Sequence, residues 1–414
     1  MNDFNILIFG GYVNGYSIAR TIYETYNIKP YIFDYRNHFS KKSKILNYIN
    51  TFDPNNQTEE FIYDLIKFGK DNKKKQNIIF VTNDEWLIPI SQNRKVLDEY
   101  FVLPFSEWNI IEKLTIKENL YKLCDEINLD YPKTELINQK NVENIKKLKF
   151  PILIKPSNVV KYINNIGGKR NHIFENFNNA NLFLENSFKK YDENFVVQEY
   201  IPGGVENLYT ATTYSNKEGE IKGISIGHKL TQYPSEAGTI TSGYVDYVEE
   251  VEILTKKLLK ESKYYGIANT EFKYDKRDKK YKLIEINPRP GMWNYSSLKS
   301  GVNLFELLIK DLQGSIDNDE IIRGKSNLIW TVISYKELKK TIPLKTILDK
   351  KNLIDPRKNK EESLFYKINL NKEIIINKIK RLIIKILENG ITPHGDWRKM
   401  KEMELPKNSN KESL

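Results

Sequence analysis

The run Tyr281-Lys282-Leu283-Ile284-Glu285-Ile286-Asn287 stops abruptly in Pro288-Arg289-Pro290-Gly291, a strand pattern cut off by prolines that cannot extend it. Side chains alternate along a strand, so Tyr281, Leu283, Glu285 and Asn287 are expected to share one face. Upstream, Ile267 to Tyr274 reads as a second strand, and the polar stretch Asp275 to Lys280 suits a hairpin turn. A turn symmetric about Asp278 sets Glu271 directly across from Glu285. Like charges facing each other in a sheet are destabilising. A hard divalent cation between them reverses that sign. Glu271, Glu285 and Asn287 therefore form a candidate metal set, with Arg289 beside it for a phosphate. On a solvent-facing hairpin the same residues would be an ordinary charged surface, and the rest of the chain has to decide between the two.

A chain of 414 residues has room for two or three domains with substantial cores. Apolar residues make up 40% and charged residues 29%, the balance of a globular protein. The single cysteine, Cys124, excludes an internal disulfide and a cysteine-based zinc site, and favours a reducing compartment. The four histidines are scattered, with no metal-ligand spacing. A net charge of +11 is compatible with phosphate-bearing ligands, nucleic acid or an anionic membrane, and selects none of them. The cations are spread along the chain without a nucleic-acid module, so no nucleic-acid partner is expected despite 26 tyrosines. The N-terminus enters a strand without a signal-peptide pattern, and no apolar stretch is long enough to span a bilayer. The expectation is a cytoplasmic protein.

Strand-like Phe4 to Phe9 is followed by Gly10-Gly11, a helical pattern from Gly15 to Tyr26, a strand Pro30 to Asp34 and another, Ile78 to Val81, trailed by Thr82-Asn83-Asp84-Glu85. This alternation is an α/β signature. Asp34 lies where a dinucleotide site would want an acid. Tyr12, however, stands where the second glycine of that motif is needed, so a structural turn is the simpler reading. A helix is expected over Leu114 to Asn128, with Thr115 and Glu118 as a capping box and Cys124 buried on its apolar side. Two further strands, Leu208 to Tyr214 and Glu220 to Ser225, read as a hairpin around Lys217-Glu218-Gly219.

Lys155 ends the apolar strand Ile152-Leu153-Ile154 ahead of Pro156. A lysine there is costly unless its ammonium reaches an anion, or snorkels at a sheet edge. The loop Asn164 to Arg170, with Gly167, Gly168, Lys169 and Arg170, is either a phosphate lid or an exposed turn. Gln198-Glu199-Tyr200-Ile201 ends a strand before Pro202-Gly203-Gly204 and either presents backbone groups to a flat heterocycle or is plain sheet.

Taken in order, these pieces resemble the ATP-grasp superfamily over roughly residues 1 to 330, most specifically at Glu285-Ile286-Asn287-Pro288-Arg289-Pro290-Gly291 and at Ile154-Lys155-Pro156. The resemblance implies an α/β and α+β architecture: an N-terminal Rossmann-like (pre-ATP-grasp) domain over 1–112, an ATP-grasp domain over 113–330 whose two subdomains hold ATP, and a C-terminal extension over 331–414. It implies that Lys117 and Lys155 contact ATP, that Gly167, Gly168 and Lys169 close over its phosphates, and that Glu199 and Ile201 bond the adenine edge while Glu206 holds the ribose. Glu271, Glu285 and Asn287 would ligate Mg²⁺, with Mn²⁺ as the alternative ion, and Arg289 would act with Lys155 in catalysis on the transferred phosphoryl group.

Within the superfamily the chain looks most like the D-aspartate ligase-like carboxylate–amine ligases, through Ile226 to Pro234 followed by Gly238-Thr239. Lys229 and Gln232 would then face the acyl acceptor or the acyl phosphate. His228 would be a base or simply a hydrogen-bonded histidine. The implied reaction joins a small carboxylate to an amine through an acyl phosphate, with ADP and phosphate released, on an amino acid or an envelope precursor. Another nucleophile (carboxylase-like chemistry) and a non-catalytic ATP- or carboxylate-binding protein are the alternatives. Finally, Ile374 to Glu388 reads as an amphipathic basic helix that either packs on the body or lies on an anionic membrane surface, and a polar tail follows from Glu402. The sequence leaves oligomeric state open, a homo-oligomer included.

Overall fold

The computed structural model describes residues 4–157, 162, 165–167, 171–233, 238–316, 320–333, 337–338 and 353–357. The helix expected over Ile374 to Glu388 and the tail after it lie outside the described residues. The chain forms two compact units, one built from residues up to Lys133 and from Glu199 onward, the other from Thr134–Gln198.

The first unit opens with β1 (Phe4–Phe9), α1 (Val13–Tyr26), β2 (Tyr31–Asp34), β3 (Asn47–Asn50), α2 (Thr58–Asp71), β4 (Gln76–Val81), α3 (Asp84–Gln92) and α4 (Arg94–Leu97). The strands make a parallel sheet in the order β3-β2-β1-β4. Its centre is apolar on both faces: Ile6 and Ile8 pack towards α1, while Leu7 and Phe9 pack with Phe61 and Trp86. That double burial is why β1 reads as an unbroken apolar run. At the end of β2, Asp34 accepts the Gly11 amide at 2.6 Å and the Arg36 amide at 2.9 Å, and lies 3.3 Å from His38 Nε2. The acid thus braces the glycine turn from within. Gly10 sits at φ 101°, and a Cβ there would come within 2.1 Å of the Thr82 hydroxyl.

Two helices follow, α5 (Trp108–Thr115) and α6 (Lys117–Glu126); the second is the expected helix, starting at Lys117 instead of Leu114. The expected capping box is not formed. Thr115 closes α5 by donating its hydroxyl to the Ile111 carbonyl at 2.9 Å, and α6 starts behind Ile116 without a side-chain cap. Cys124 is fully buried among apolar side chains, as expected.

The second unit contains β5 (Thr134–Ile137), β6 (Ile152–Pro156), β7 (His172–Phe174), α7 (Phe177–Phe188) and β8 (Phe195–Glu199), its last residue belonging to the first unit. The strand order is β5-β8-β6-β7. Ile152 and Ile154 point into its core with Tyr162, Leu184 and Phe195. Their alternation with Leu153 and Lys155 marks a half-buried strand.

The first unit resumes with β9 (Leu208–Ser215), β10 (Ile221–Tyr233), β11 (Thr239–Val245), α8 (Glu249–Ser262), β12 (Gly266–Asp275), β13 (Lys280–Asn287), α9 (Tyr295–Lys299), α10 (Leu304–Leu312), β14 (Ile322–Arg323), β15 (Leu328–Thr331) and β16 (Leu353–Ile354). They build a sheet in the order β13-β12-β9-β10-β11-β15-β16, with β14 beside β10. The hairpin expected around Lys217 to Gly219 is present, but its second strand runs on to Tyr233 instead of ending at Ser225. One face of this sheet is covered by α6 and α8, through Ala211, Ile224, Ile226, Ala268 and Phe272. On the other face, Tyr214 and Ile267 join the core shared by the N-terminal sheet and α10. The rest of that second face carries a small apolar cluster, Trp293 and Ile240 over Gly227 and Gly243, and the polar site.

Candidate functional site

Glu271 stands directly opposite Glu285 in the β12–β13 register, as the sequence suggested, although by a different route. The turn closes at the Asp275–Lys280 pair, one residue short of symmetry about Asp278, and a bulge between Glu271 and Phe272 restores the alignment. Phe272 pairs with Leu283 and Glu271 with Glu285, which leaves Ile284 without a partner. The bulge also corrects the expected faces. Leu283 turns into the core with Ile286 and Phe272, and Tyr281 packs against the same core. Glu285 and Asn287 therefore share the opposite face with Glu271, without Tyr281 or Leu283.

The backbone released by the bulge has a use. Lys117, the first residue of α6, donates its ammonium to the Ile284 carbonyl at 2.9 Å. Burial pulls the pKa of Lys117 down, while Glu285 and Glu271 pull it back up. Lys229, buried on β10, pairs with Glu271 at 2.8 Å. Burial holds the Glu271 carboxyl above the ordinary range, with Lys229 opposing the rise and Glu285 adding to it. Two acids thus sit face to face between two ammonium groups.

Beyond Glu285 the polar contacts continue as a chain. Asn287 donates to Glu285 Oε1 at 3.1 Å and accepts from Arg289 Nη2 at 2.9 Å. Arg289 Nε bonds Asp84 Oδ1 at 2.7 Å, at the start of α3, and Nη1 reaches the Thr82 carbonyl at 3.3 Å. Buried Asn14 ties the same corner together, donating to the Thr82 carbonyl at 2.7 Å and the Pro290 carbonyl at 2.9 Å. Gly291 has to be glycine here, because a Cβ would lie 2.4 Å from Asn269 Oδ1. The Pro-Arg-Pro-Gly run is therefore a joint between the sheet end and the N-terminal domain.

Glu199, Tyr200 and Ile201 leave β8 in an irregular stretch, with the Glu199 amide bonded to the Lys133 carbonyl at 2.9 Å and Ile201 buried. Gly203, at φ 104°, makes the turn. Gly204 leaves room for the Glu206 carboxylate, which folds back to the Gly204 amide at 3.3 Å and the Asn207 side chain at 3.2 Å. Lys273, on β12, reaches towards this stretch, its ammonium 4.7 Å from the centre of the Tyr200 ring.

Gln232 pairs with Ile240 near the end of β10, three residues past Lys229. His228 points to the other face from Lys229, between the rings of Tyr209 and Tyr244, and burial lowers its pKa. In the second unit, Lys155 is half-buried on β6, and Gly167 has a positive φ of 77°. Gly168 and Lys169 lie outside the described residues.

Two residues escaped sequence reasoning. Asp84 was visible only as one of several polar residues after a strand. Lys273 was a lysine in a strand, and its parity with Glu271 was the available signal.

No family model matches the chain. It is, however, 30% identical over 323 residues to the D-aspartate ligase of Enterococcus faecium, spanning 75% of this chain and 76% of that one. The chain belongs to the ATP-grasp carboxylate–amine ligases. Solved structures agree on the fold. The ligase superposes on the ADP complex of N5-carboxyaminoimidazole ribonucleotide synthetase with a TM-score of 0.61 at 15% identity, over 93% of this chain and 97% of that one. It superposes on the L-amino acid ligase of Bacillus licheniformis with a TM-score of 0.57 at 15% identity, over 76% and 77%. The expected ATP-grasp fold with a Rossmann-like N-terminal domain is thereby established. The ligase is an ATP-dependent, amide-forming enzyme. No helix among its described residues is long and apolar enough to cross a membrane.

Proposed function

We propose that the ligase phosphorylates the carboxylate of a small acidic amino acid, D-aspartate or a close analogue, and passes the acyl group to the amine of an amino acid or an envelope precursor. The observation that carries this reading is the Glu271–Glu285 pair, flanked by Lys229 and Lys117 and continued by Asn287 and Arg289. The name of the Enterococcus relative supports the choice of the acid.

Among the described residues no group of three or more histidine, cysteine or acidic side chains stands together, so the metal set is the two glutamates with the amide of Asn287. The carboxylate oxygens of the two glutamates and the amide oxygen of Asn287, which here accepts from Arg289, are the donor type of a hard divalent ion and belong to residues on one face. Lys229 takes Glu271 Oε2 and leaves Oε1 without a hydrogen bond among the described residues. The repulsion between the two acids is what such an ion relieves. Bound there, Mg²⁺ or Mn²⁺ would neutralise the terminal phosphates of ATP.

The chain's own residues supply the rest. Arg289, aimed by Asp84, steadies the transferred phosphoryl group, and Lys117 and Lys229 add positive charge around the two acids. Glu199 and Ile201 offer backbone groups to the adenine edge, and Glu206 offers its carboxylate to the ribose. A substrate carboxylate attacks the γ-phosphorus and releases ADP, and an amine then displaces phosphate from the acyl carbon. No protein nucleophile is required.

The test is ADP and phosphate release from MgATP with D-aspartate and a panel of other carboxylates, each with and without amines. Release that needs both an acid and an amine supports the assignment and names the substrates. Release driven by bicarbonate instead would point to carboxylase-like chemistry, and nucleotide binding without turnover on any pair to a non-catalytic binder.

A further inference from the structure

Three lysines of the described residues are at least nine-tenths buried: Lys222, Lys229 and Lys273. The first two hold carboxylates, Glu220 and Glu271. Lys273 is different. It is 9% exposed, yet its ammonium makes no hydrogen bond or ion pair among the described residues. Its neighbour is the Tyr200 ring, with the ammonium 4.7 Å from the ring centre. A cation–π contact uses none of the three donors of an ammonium. Those donors are committed to no other described residue, which leaves them to water or to the acceptors of a ligand.

Its position says which ligand. Lys273 is two residues from Glu271 on β12 and shares its face, roughly 7 Å along the strand and away from Asn287 and Arg289. It pairs in register with Leu208, where β9 leaves the Gly203-to-Asn207 turn. Glu206 is close enough for its charge to act on Lys273, but its carboxylate is turned towards Gly204 and Asn207. Lys273 therefore faces the stretch assigned above to the base and sugar, not the end assigned to the phosphates.

We infer that Lys273 is a nucleotide-binding residue that donates from its ammonium to the sugar or the purine edge of the nucleotide held by Glu199, Ile201 and Glu206. The inference rests on that nucleotide assignment. The acceptors available there are neutral, the ribose oxygens and the purine N3.

Calorimetric titration of the full chain with ADP and with pyrophosphate, each with Mg²⁺, tests it on wild type and Lys273→Met. Methionine keeps the length and apolar stem of the side chain. The expected result is ADP binding weakened by about tenfold with pyrophosphate binding unchanged, since hydrogen bonds from charged donors have that order of strength. Titration with 3-deaza-ADP then separates the acceptors: a variant that loses affinity for ADP but not for the deaza analogue assigns N3, and equal losses assign the sugar. Unchanged ADP affinity overturns the inference. Equal weakening of ADP and pyrophosphate also overturns it, since that is the mark of a phosphate contact or of general damage, and a lowered melting temperature identifies the latter. A wild type that binds pyrophosphate but not ADP removes the nucleotide assignment itself, and the inference with it.

Discussion

Asp84 Oδ1 lies 2.7 Å from Nε of Arg289, a residue 205 positions away in the chain. One belongs to the first helix turn after β4, the other to the run that ends β13. The contact fixes the guanidinium so that Nη2 meets Asn287. A planar, bidentate-capable cation is useful in catalysis only when its plane is set in advance.

Replacing Asp84 by asparagine removes the charge that sets this plane and leaves the volume in place. The turnover number is expected to fall about tenfold or more, with little change in KM for ATP, because the aim of Arg289 is lost rather than the nucleotide pocket. Steady-state ADP release against ATP concentration makes the distinction. A rise in KM alone would show that Asp84 does not work through Arg289.

Glu285→Gln tests the opposed acids. Activity is expected to drop by about a hundredfold or more. Stability should hold or rise slightly, since one of two like charges in a cross-strand pair is gone. Wild-type turnover in this variant would end the metal assignment. Thermal melting alongside the assay guards against simple unfolding.

In the Lys229–Glu271 pair the lysine is buried and the glutamate half-buried. Lys229→Met leaves Glu271 facing Glu285 with its cation removed, a change expected to destabilise the fold by about 3–5 kcal/mol in urea unfolding with chelator present. Adding Glu271→Gln to the same chain should recover most of that loss, because the buried charge goes with its partner. If the double variant is no more stable than the single one, packing rather than charge explains the loss.

Part of the acid sensitivity should lie at Glu252, in the first turn of α8, beside that of Asp275, which Arg277 and Lys282 also hold below the ordinary carboxylate range. Burial pushes the Glu252 pKa up, but Arg323, at 2.7 and 2.8 Å, and Lys256, at 2.6 Å, outweigh burial and bring it from an ordinary 4.5 to about 2. A depressed folded-state value means stability that is complete above the unfolded pKa and lost as pH falls through the folded one. The melting temperature should therefore decline between about pH 4.5 and 2. Glu252→Gln should flatten that part of the profile. An unchanged slope would place the acid-labile groups elsewhere.

Much of this molecule could be read without coordinates, for physical reasons. β1 matched its expected bounds because a strand buried on both faces is written as an apolar run. The Glu271–Glu285 opposition was legible because a hairpin ties register to sequence distance. The bulge at Ile284 was not, since nothing in Leu-Ile-Glu-Ile marks which residue falls out of the ladder. Thr115 misled because a threonine near a helix junction can cap the next helix or close the last one, and a tertiary fold chooses. The length of β10 was missed because Gly227 and the polar residues after it look like a strand end. A Cβ at Gly227 would in fact lie 2.2 Å from the Tyr244 carbonyl oxygen and 2.5 Å from the Trp293 ring. Asp84 stayed hidden for the plainest reason: local pattern carries no information about a partner from a different part of the chain.

The bulge at Ile284 also means that a change in chain length can separate the opposed acids from the lysine beside them. Losing that one residue would keep Glu285, Asn287 and Arg289 in the protein and leave the hairpin free to close as a regular ladder. Leu283 and Glu285 would then be neighbours on opposite faces, so Glu285 would still meet Glu271 and Asn287 would stay beside it, while Lys117 would lose the Ile284 carbonyl that receives it. In a gene, that is a deletion of three nucleotides in frame. It would spare every proposed ligand and its register, and remove only the anchor of Lys117.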